Sequence, residues 1–262
     1  MRVILLNTNS TTSRRLDEWL ERAEWDVAVL LEVSRRVGER LAGDGVRWQA
    51  SSSASRARAK PGYPVAILAR GVGALRDIPV PATLGTRDRR YNERIHAVGF
   101  DWNGTACTVV GLHAPNAVKN GQGDKDAVYK QFADWVRPLA TAGPVIAALD
   151  TNNGHWRHSP DHPERADMVH QSLFLSRPET AGLREAYCDV HDGADPKPAT
   201  WGSHFYDRVF LSSHLRATRF SVDGETFRRE DNDGNLRLPD HAAVTLDLEF
   251  PPTTTRPAVA RR

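Results

Sequence analysis

"RLPDHAAVTLDLEF", residues 237–250, combines the pattern of a strand with two polar side chains at its entrance. Apolar residues alternate with polar ones from position 243 to position 250, which is typical of a half-buried β-strand. Asp240 and His241 directly precede this strand, where loop side chains can face a cleft. Taken alone, the pair is equally compatible with a polar turn, because Pro and Asp favour turns. Whether Asp240 and His241 form a turn or a functional site is decided by the polar residues in the remainder of the chain.

The composition is that of a globular protein. Of the 262 residues, 40% are hydrophobic and 26% are charged, and the formal net charge of +2 means that attraction to nucleic acid must come from a local patch. Cys107 and Cys188 are too few for a disulfide framework or a zinc ligand set. The apolar run at residues 3–6 is too short for a signal peptide or a membrane span. We therefore expect a monomeric cytoplasmic protein, away from membranes, with one domain over residues 1–250 and a flexible tail over residues 251–262.

Short apolar segments alternate with helical patterns along the chain. "MRVILLNTNS" and "DVAVLLEV" predict buried strands on either side of a helix, and several closely spaced strands follow, as in antiparallel sheets. Apolar spacing predicts a long helix through residues 128–139, followed by the strand "VIAALD". Further helices are predicted within residues 163–187 and strands at "YDRVFLSS" and residues 215–222, while residues 51–60 are the most loop-like. This order predicts an α/β fold in which two packed sheets have helices outside.

Polar side chains stand at the ends of the predicted strands. Loops at one rim of a rigid sheet stack commonly carry catalytic groups. Mg²⁺ prefers oxygen ligands, which Glu32, Asp240 and the Asn7 carbonyl can supply. Asp150 is suited to activating water for phosphodiester cleavage. The full set of strand-end residues is Asn7, Glu32, His113, Asn116, Asp150, Asn152, Asp207, Asp240 and His241.

Six segments of the sequence, in this order, resemble the endonuclease/exonuclease/phosphatase superfamily, which includes deoxyribonuclease-type and abasic-site endonucleases. The segments are "LLNTN", "LLE", "GLHAPN", "ALDTNN", "YDRVF" and "PDHAAV", and they extend from residue 3 to about residue 250. The resemblance implies an α/β fold that is a four-layer α-β-β-α sandwich of two mainly antiparallel mixed sheets with helices outside. It also implies a phosphoesterase site at one rim, with Mg²⁺ or Mn²⁺ as cofactor.

Positions that match the family's motifs imply a metal side of the site. Asn7 and Glu32 would belong to the metal site, and Asp240 would lie close to it. Asp150 would orient or deprotonate the attacking water. Where many relatives have an acidic residue, this chain has Asn9, which leaves one or two metal ions as alternatives.

The same matching implies a phosphate side. Asp207 would pair with His241 and favour the charged imidazole, although Asp207 could instead pair with its neighbour Arg208. Arg94 occupies the place of a basic phosphate contact, and Tyr91 lines the same edge. The scissile phosphate would be held by Asn152, His113 and Asn116.

Two further features allow more than one interpretation. His155, His158 and His162 predict a solvated loop, a substrate-contacting loop that offers Trp156 for stacking, or a separate zinc site. The basic segments "SRARAK" and "GTRDRRYNER" are either solvated loops or a track for a phosphate backbone. In the second case aromatic side chains are available for base stacking, namely Tyr63, Tyr91 and Trp201.

The sequence thus predicts a divalent-metal-dependent phosphodiesterase, foremost a nuclease that acts on DNA or RNA, with DNA favoured. One alternative keeps the fold and changes the substrate to a nucleotide, an inositol phosphate or a lipid head group. The other is a non-catalytic homologue that binds nucleic acid or protein at the same rim.

Overall fold

Two sheets of six strands each form the centre of the molecule. The computed structural model describes residues 1–11, 14–42, 47–56, 63–86, 91–116, 122–152, 181–191, 198–201, 205–224 and 240–252. The first sheet has the spatial order β11-β12-β1-β2-β4-β3 and contains β1 (Arg2–Asn7), β2 (Val27–Leu31), β3 (Gln49–Ser52), β4 (Ala66–Ala69), β11 (Arg216–Asp223) and β12 (Ala243–Glu249). The second has the order β5-β6-β7-β8-β10-β9 and contains β5 (Arg76–Asp77), β6 (Ile95–Trp102), β7 (Thr105–His113), β8 (Val145–Asp150), β9 (Leu183–Glu185) and β10 (Asp207–Ser212). The described helices are α1 (Arg15–Arg22), α2 (Arg35–Ala42), α3 (Gln122–Ala142) and the single turn α4 (Tyr187–Val190).

Each sheet has a parallel pair of strands at its centre. β1 pairs with β2, and β7 pairs with β8, both in parallel, so the carboxyl ends of each pair lie at one edge. The next strand along, β12 beside β1 and β10 beside β8, is antiparallel and therefore begins at that edge. These four strand ends and two strand starts lie at the same rim of the sandwich, and β4 and β6, which are antiparallel to β2 and β7, also begin there.

Three apolar clusters hold the layers together. The cluster between the sheets packs Val29 and Ile67 of the first sheet with Val109 and Ile146 of the second. The outer face of the first sheet is covered by apolar side chains of α1 and α2. The outer face of the second sheet is covered by α3, through residues such as Phe132. The layers are therefore α, β, β and α, as the family resemblance implied.

The predicted α/β sandwich of mixed, mainly antiparallel sheets is confirmed. The predictions that differ from the structure concern short elements. Residues 51–60 were expected to form a loop, yet 51 and 52 belong to β3 and 53–56 form a 3₁₀ turn. A polar strand such as "QASS" lacks the apolar alternation that reveals strands, because β3 is a half-exposed edge. Part of the helical region predicted at 163–187 is instead strand β9, and 163–180 lie outside the described residues. Residues 253–262 of the predicted tail also lie outside them.

Among the described residues, no helix has the length and apolar character needed to cross a lipid bilayer.

Gly111 of β7 allows the two sheets to approach each other. A Cβ at this position would lie 2.5 Å from Val65 Cγ1 and 2.8 Å from Val29 Cγ1, both side chains of the facing sheet. We expect Gly111→Ala to lower the free energy of unfolding by about 1–3 kcal/mol, because the overpacked core must shift. Urea unfolding measures this change.

Gly99, on the neighbouring strand β6, is the matched control. A Cβ there would lie 3.6 Å from Ile78 Cδ1, an ordinary contact. Gly99→Ala should leave stability within about 1 kcal/mol of the wild type. Equal effects of the two substitutions would show that the sheets are not in close contact at Gly111.

Candidate active site

A row of three polar side chains crosses the second sheet at the rim. His113 ends β7, Asp150 ends β8 and Asp207 begins β10, and the strand register places His113 opposite Asp150 and Asp150 opposite Asp207. All three are buried, with Asp150 only 1% exposed. The sequence placed these residues at strand ends, and the pairing of the strands brings them side by side.

The first sheet supplies Asn7 and Glu32 to the same place. The Asn7 Nδ2 group donates to Asp150 Oδ2 at 2.8 Å and to Glu32 Oε1 at 3.0 Å. The Asn7 carbonyl oxygen, which we expected to face a cation, instead accepts the Asn9 backbone N–H at 2.9 Å. Asn7 therefore orients two carboxylates in this structure. Its predicted role as a metal ligand requires the amide to turn over.

Burial changes the protonation of both carboxylates. Burial, together with the charge of Asp207, raises the pKa of Asp150 to about 7, although His241 and the hydrogen bonds from Asn152 and Asn7 act to lower it. Burial also raises the pKa of Glu32 above its ordinary value. A carboxyl with a pKa near 7 can exchange protons at neutral pH, as a general base must.

His241 and Asp207 form a buried pair between the sheets. The His241 Nδ1 group lies 2.7 Å from Asp207 Oδ2, which directs Nε2 toward the cleft. Arg208, the alternative partner of Asp207, instead bonds Glu185. Burial lowers the pKa of His241, but the charge and hydrogen bond of Asp207, with smaller contributions from other acids, outweigh burial and raise it to about 9. The imidazole is therefore a cation at neutral pH.

Asp240 and Trp201 form the open side of the site. Asp240 has a half-exposed side chain, 48%, whose Oδ1 lies 3.9 Å from His241 Nε2. Its Oδ2 accepts the indole N–H of Trp201 at 3.0 Å. Trp201 is 39% exposed, and its ring stacks on Tyr206 with centroids 5.6 Å apart. An exposed aromatic face thus lies beside the acids.

The turn after Asp150 places the Asn152 side chain beside His113. Asn152 has a left-handed backbone, φ 45°, and its N–H donates to Asp150 Oδ1 at 2.8 Å. Its side-chain Nδ2 lies 3.1 Å from His113 Nε2 and donates to Ala114 O at 2.9 Å. Asn116 donates to Asn152 Oδ1 at 3.5 Å. Sequence matching had grouped Asn152, His113 and Asn116, and the structure brings all three together.

Backbone strain is concentrated at this rim. Within the described ranges, the non-glycine residues with left-handed backbone are Asn9, Ser10, Glu32, Asn103 and Asn152, and only Asn103 is remote from the site. The Glu32 carbonyl accepts bonds from Ser10 N and from the Thr8 hydroxyl, both at 2.9 Å, which fixes its conformation. Such strain persists only where surrounding contacts impose it, and it is typical of functional sites.

Arg94 lies in an aromatic stack at one edge. Its guanidinium lies 4.2 Å from the Tyr63 ring centroid and 4.9 Å from that of Tyr91. Tyr91 is buried and donates its hydroxyl to Asp124, so its contact with the site runs through Arg94. Among the described residues, the buried Arg94 Nε–H has no hydrogen-bond partner. Burial lowers the pKa of Arg94, whose charge lies close enough to Glu32 to lower the pKa of that acid.

Sequence reasoning missed two residues of α3, Lys125 and Tyr129. Lys125 Nζ donates to Asn152 O at 2.7 Å, and the Tyr129 hydroxyl donates to Thr151 O at 2.5 Å. The sequence contained a pattern that could have identified them. Lys125 precedes Val128 and Tyr129 by three and four positions, so a lysine lies on the apolar face of the helix.

The ligand set fits a divalent cation. A carboxylate oxygen of Glu32, one of Asp150 and a ring nitrogen of His113 lie within 4.8 Å of one another. Two carboxylates whose pKa values are raised by burial have too little positive charge around them, and a cation would compensate for this. The three histidines at 155, 158 and 162 and Trp156 lie outside the described residues, as does much of both basic segments.

The His241–Asp207 pair makes a prediction about stability and pH. The folded pKa of His241, about 9, exceeds its ordinary value of 6.5, so its stabilisation is complete below pH 6.5 and is lost as the pH rises through 9. The shift corresponds to about 3 kcal/mol. We expect the free energy of unfolding of the metal-free protein to fall by about this amount across that window through this group.

His241→Gln should lack that part of the pH dependence in urea unfolding at a series of pH values. His214→Gln, at an exposed histidine, is the matched control and should follow the wild type. Parallel curves for wild type and His241→Gln would show that the pair does not form as described.

Comparisons with known proteins place the fold. No protein-family model and no curated protein matches the chain. Among solved structures, the 3′-5′ exonuclease NExo from Neisseria meningitidis is similar over 95% of this chain and 100% of its own, with a TM-score of 0.72 and 18% identity. Truncated TDP2 from Caenorhabditis elegans covers 95% of this chain and 97% of its own, with a TM-score of 0.64 and 15% identity. The human nocturnin catalytic domain covers 96% of this chain and 93% of its own, with a TM-score of 0.62 and 16% identity.

These proteins are members of the superfamily that the sequence segments resemble. Since the likeness extends over nearly the whole chain, including the strands that carry the site, the protein shares the fold of these three structures.

Proposed function

We propose that the protein is a divalent-metal-dependent phosphodiesterase that hydrolyses DNA. The observation that carries this proposal is the place of Asp150, a buried carboxylate at the seam of the sheets, held by Asn7 and faced by the His241–Asp207 pair. A base, a charged imidazole and an amide donor around one small space are what hydrolysis of a phosphodiester requires.

Asp150 is the group that accepts the proton of the attacking water. Its Oδ1 is engaged by the Asn152 N–H and its Oδ2 by Asn7, so the carboxylate is held in one orientation. Its pKa of about 7 in the metal-free protein places half of the population in the basic form near neutral pH. The water oxygen forms a bond to phosphorus as its proton moves to Asp150.

His241 and Asn152 stabilise the charge that develops on the phosphate oxygens. The imidazolium presents Nε2–H while Asp207 holds Nδ1, and the Asn152 Nδ2 group, which in this structure donates to Ala114 O and lies 3.1 Å from His113 Nε2, would turn an N–H to the phosphate. Each fixed donor of this kind contributes on the order of 3 kcal/mol to stabilising a transition state. His113 Nε2 lies 3.1 Å from Glu32 Oε1 and from Asn152 Nδ2, and it would give a proton to the departing alcohol when it is protonated and Asn152 has turned to the phosphate.

A divalent cation would supply charge neutralisation on the phosphate, and Mg²⁺ or Mn²⁺ suits the oxygen ligands present. Of the cluster of Glu32, Asp150 and His113, Glu32 would hold the cation, which leaves Asp150 and His113 for proton transfer. Asp240, and Asn7 if its amide turns over, would be the further ligands. Asp240 is half exposed and thus accessible to a cation from solvent.

Nucleic acid is the proposed substrate class for two reasons. Trp201 offers an exposed aromatic face for a base beside the acids, and Arg94 offers a buried cation for a phosphate. In addition, NExo has been solved with a product DNA hairpin and zebrafish TDP2 (D. rerio) with a single-stranded DNA product.

Replacing Asp150 tests the proposal. Asp150→Asn keeps the shape of the side chain and removes the base, so the rate of DNA cleavage should fall by about 1,000-fold or more. Plasmid, single-stranded DNA, RNA and a small phosphodiester are compared with Mg²⁺, with Mn²⁺ and with EDTA, which should abolish cleavage.

Asp134→Asn, at an exposed acid of α3, is the matched control and should retain the wild-type rate. Turnover of the small ester alone would replace DNA by a small molecule as substrate. If Asp150→Asn kept more than about a tenth of the rate, Asp150 would not be the base.

Replacing Glu32 tests the cation site separately from catalysis. Glu32→Gln should weaken Mg²⁺ binding by at least about tenfold, because a charged ligand becomes neutral. Calorimetric titration of Mg²⁺ into the protein without substrate measures the affinity, and Glu39→Gln at an exposed glutamate of α2 is the control. Equal affinities of Glu32→Gln and wild type would remove Glu32 from the metal site.

A further inference from the structure

Helix α3 has a charged residue on its buried face. Lys125 is only 2% exposed, although the face on which it lies continues with the apolar or aromatic residues Val128, Tyr129 and Phe132. Burying an ammonium group is costly unless its charge and its hydrogen bonds are compensated. An apolar residue would fill this position at lower cost. The lysine therefore indicates a requirement beyond the packing of α3.

The contacts of Lys125 show which interactions its buried charge provides. Its Nζ donates to the carbonyl of Asn152 at 2.7 Å. Burial lowers the pKa of Lys125 to about 8, and the nearby charge of Asp150 opposes that effect. One helical turn later, the Tyr129 hydroxyl donates to the carbonyl of Thr151 at 2.5 Å. Two side chains on one face of α3 thus bind the two successive carbonyls that follow Asp150.

From these contacts we infer that Lys125 and Tyr129 are positioning residues, which clamp the turn after Asp150 and so set the place of the Asn152 side chain. This inference rests on the proposed function, in which Asn152 contacts the phosphate. The clamp is defined as Lys125 and Tyr129 with the carbonyls of Thr151 and Asn152.

The clamp has mechanical consequences for the site. Asn152 has a left-handed backbone, which costs a non-glycine residue free energy and relaxes unless it is held. Its N–H is held by Asp150 and its carbonyl by Lys125, so the peptide groups on both sides of its Cα are fixed. The Thr151 side is held from the other direction, since Thr151 N and its hydroxyl donate to Tyr206 O at 2.9 and 2.8 Å. The Asn152 side chain is held in turn by its contacts with His113 Nε2, Ala114 O and Asn116.

A displaced Asn152 would affect the reaction more than the binding of substrate. The phosphate of the ground state has other contacts, whereas the Asn152 donor is required where charge develops. Misplacement by about 1 Å can reduce a rate on the order of 100-fold. Loss of the clamp should therefore lower kcat and leave KM nearly unchanged.

Lys125→Met tests the inference, because methionine has a similar length and no charge. We expect kcat for DNA cleavage to fall by about 100-fold, with KM within about threefold of the wild type. Tyr129→Phe removes a single hydroxyl with little change of shape and should lower kcat in the same way. Lys130→Met is the matched control, since Lys130 is an exposed lysine of the same helix, and it should behave as the wild type.

A second readout does not require activity. The side-chain amide NMR signals of Asn152, identified by their loss in Asn152→Asp, should shift in Lys125→Met and Tyr129→Phe and remain in place in Lys130→Met. If the protein cleaves no phosphoester, the proposed function fails while these signals still decide whether the clamp positions Asn152.

Unshifted Asn152 signals in Tyr129→Phe and in folded Lys125→Met would overturn the clamp, even if the rate fell. Shifted signals with an unchanged kcat would overturn its importance for the reaction. If Lys125→Met does not fold, Tyr129→Phe decides both points.

Discussion

Two carboxylates buried face to face are the constraint on which the site depends. Asp150 and Asp207 are directly opposite each other on the antiparallel strands β8 and β10, and neither has appreciable contact with solvent. Like charges in this relation destabilise a sheet, and burial makes the repulsion stronger. Asp207 alone has one buried oxygen, Oδ1, with no hydrogen-bond partner in the described part of the chain. The second sheet's own side offsets this arrangement in part, through the Asn152 N–H that donates to Asp150 Oδ1 and the nearby charge of Lys125.

Compensation comes from the first sheet. His241, at the start of β12, gives Asp207 a charged partner, and Asn7, at the end of β1, gives Asp150 a donor. The acids of one sheet are thus paired with donors of the other. Packing of the two sheets and assembly of the site are therefore one event, and Gly111, which lets the sheets approach, contributes to both. A site built across a seam in this way cannot form in either sheet alone.

The sequence predicted the strands that carry the site because these are the buried ones. Continuous apolar runs such as those of β1, β2 and β8 predict buried strands clearly. The polar residues at the ends of these runs, Asn7, Glu32 and Asp150, were therefore recognised as candidate site residues. The edge strand β3 could not be predicted, since its sequence "QASS" has no apolar alternation. The partners of each polar residue could not be predicted, because strand register and side-chain orientation follow from tertiary packing. The Asn7 amide, which faces the acids with its nitrogen, illustrates this limit.

The charges of the site favour the binding of a cation. When fully ionised, the carboxylates Glu32, Asp150, Asp207 and Asp240 carry four negative charges, against three positive charges on Arg94, Lys125 and His241. The site then has a net charge of one negative unit, which repels a phosphodiester anion. A bound divalent cation would change the net charge of the site to one positive unit, which attracts the phosphodiester anion. Binding of the cation and binding of the substrate should therefore be coupled, and the raised pKa of Asp150 should fall toward its ordinary value as the cation binds.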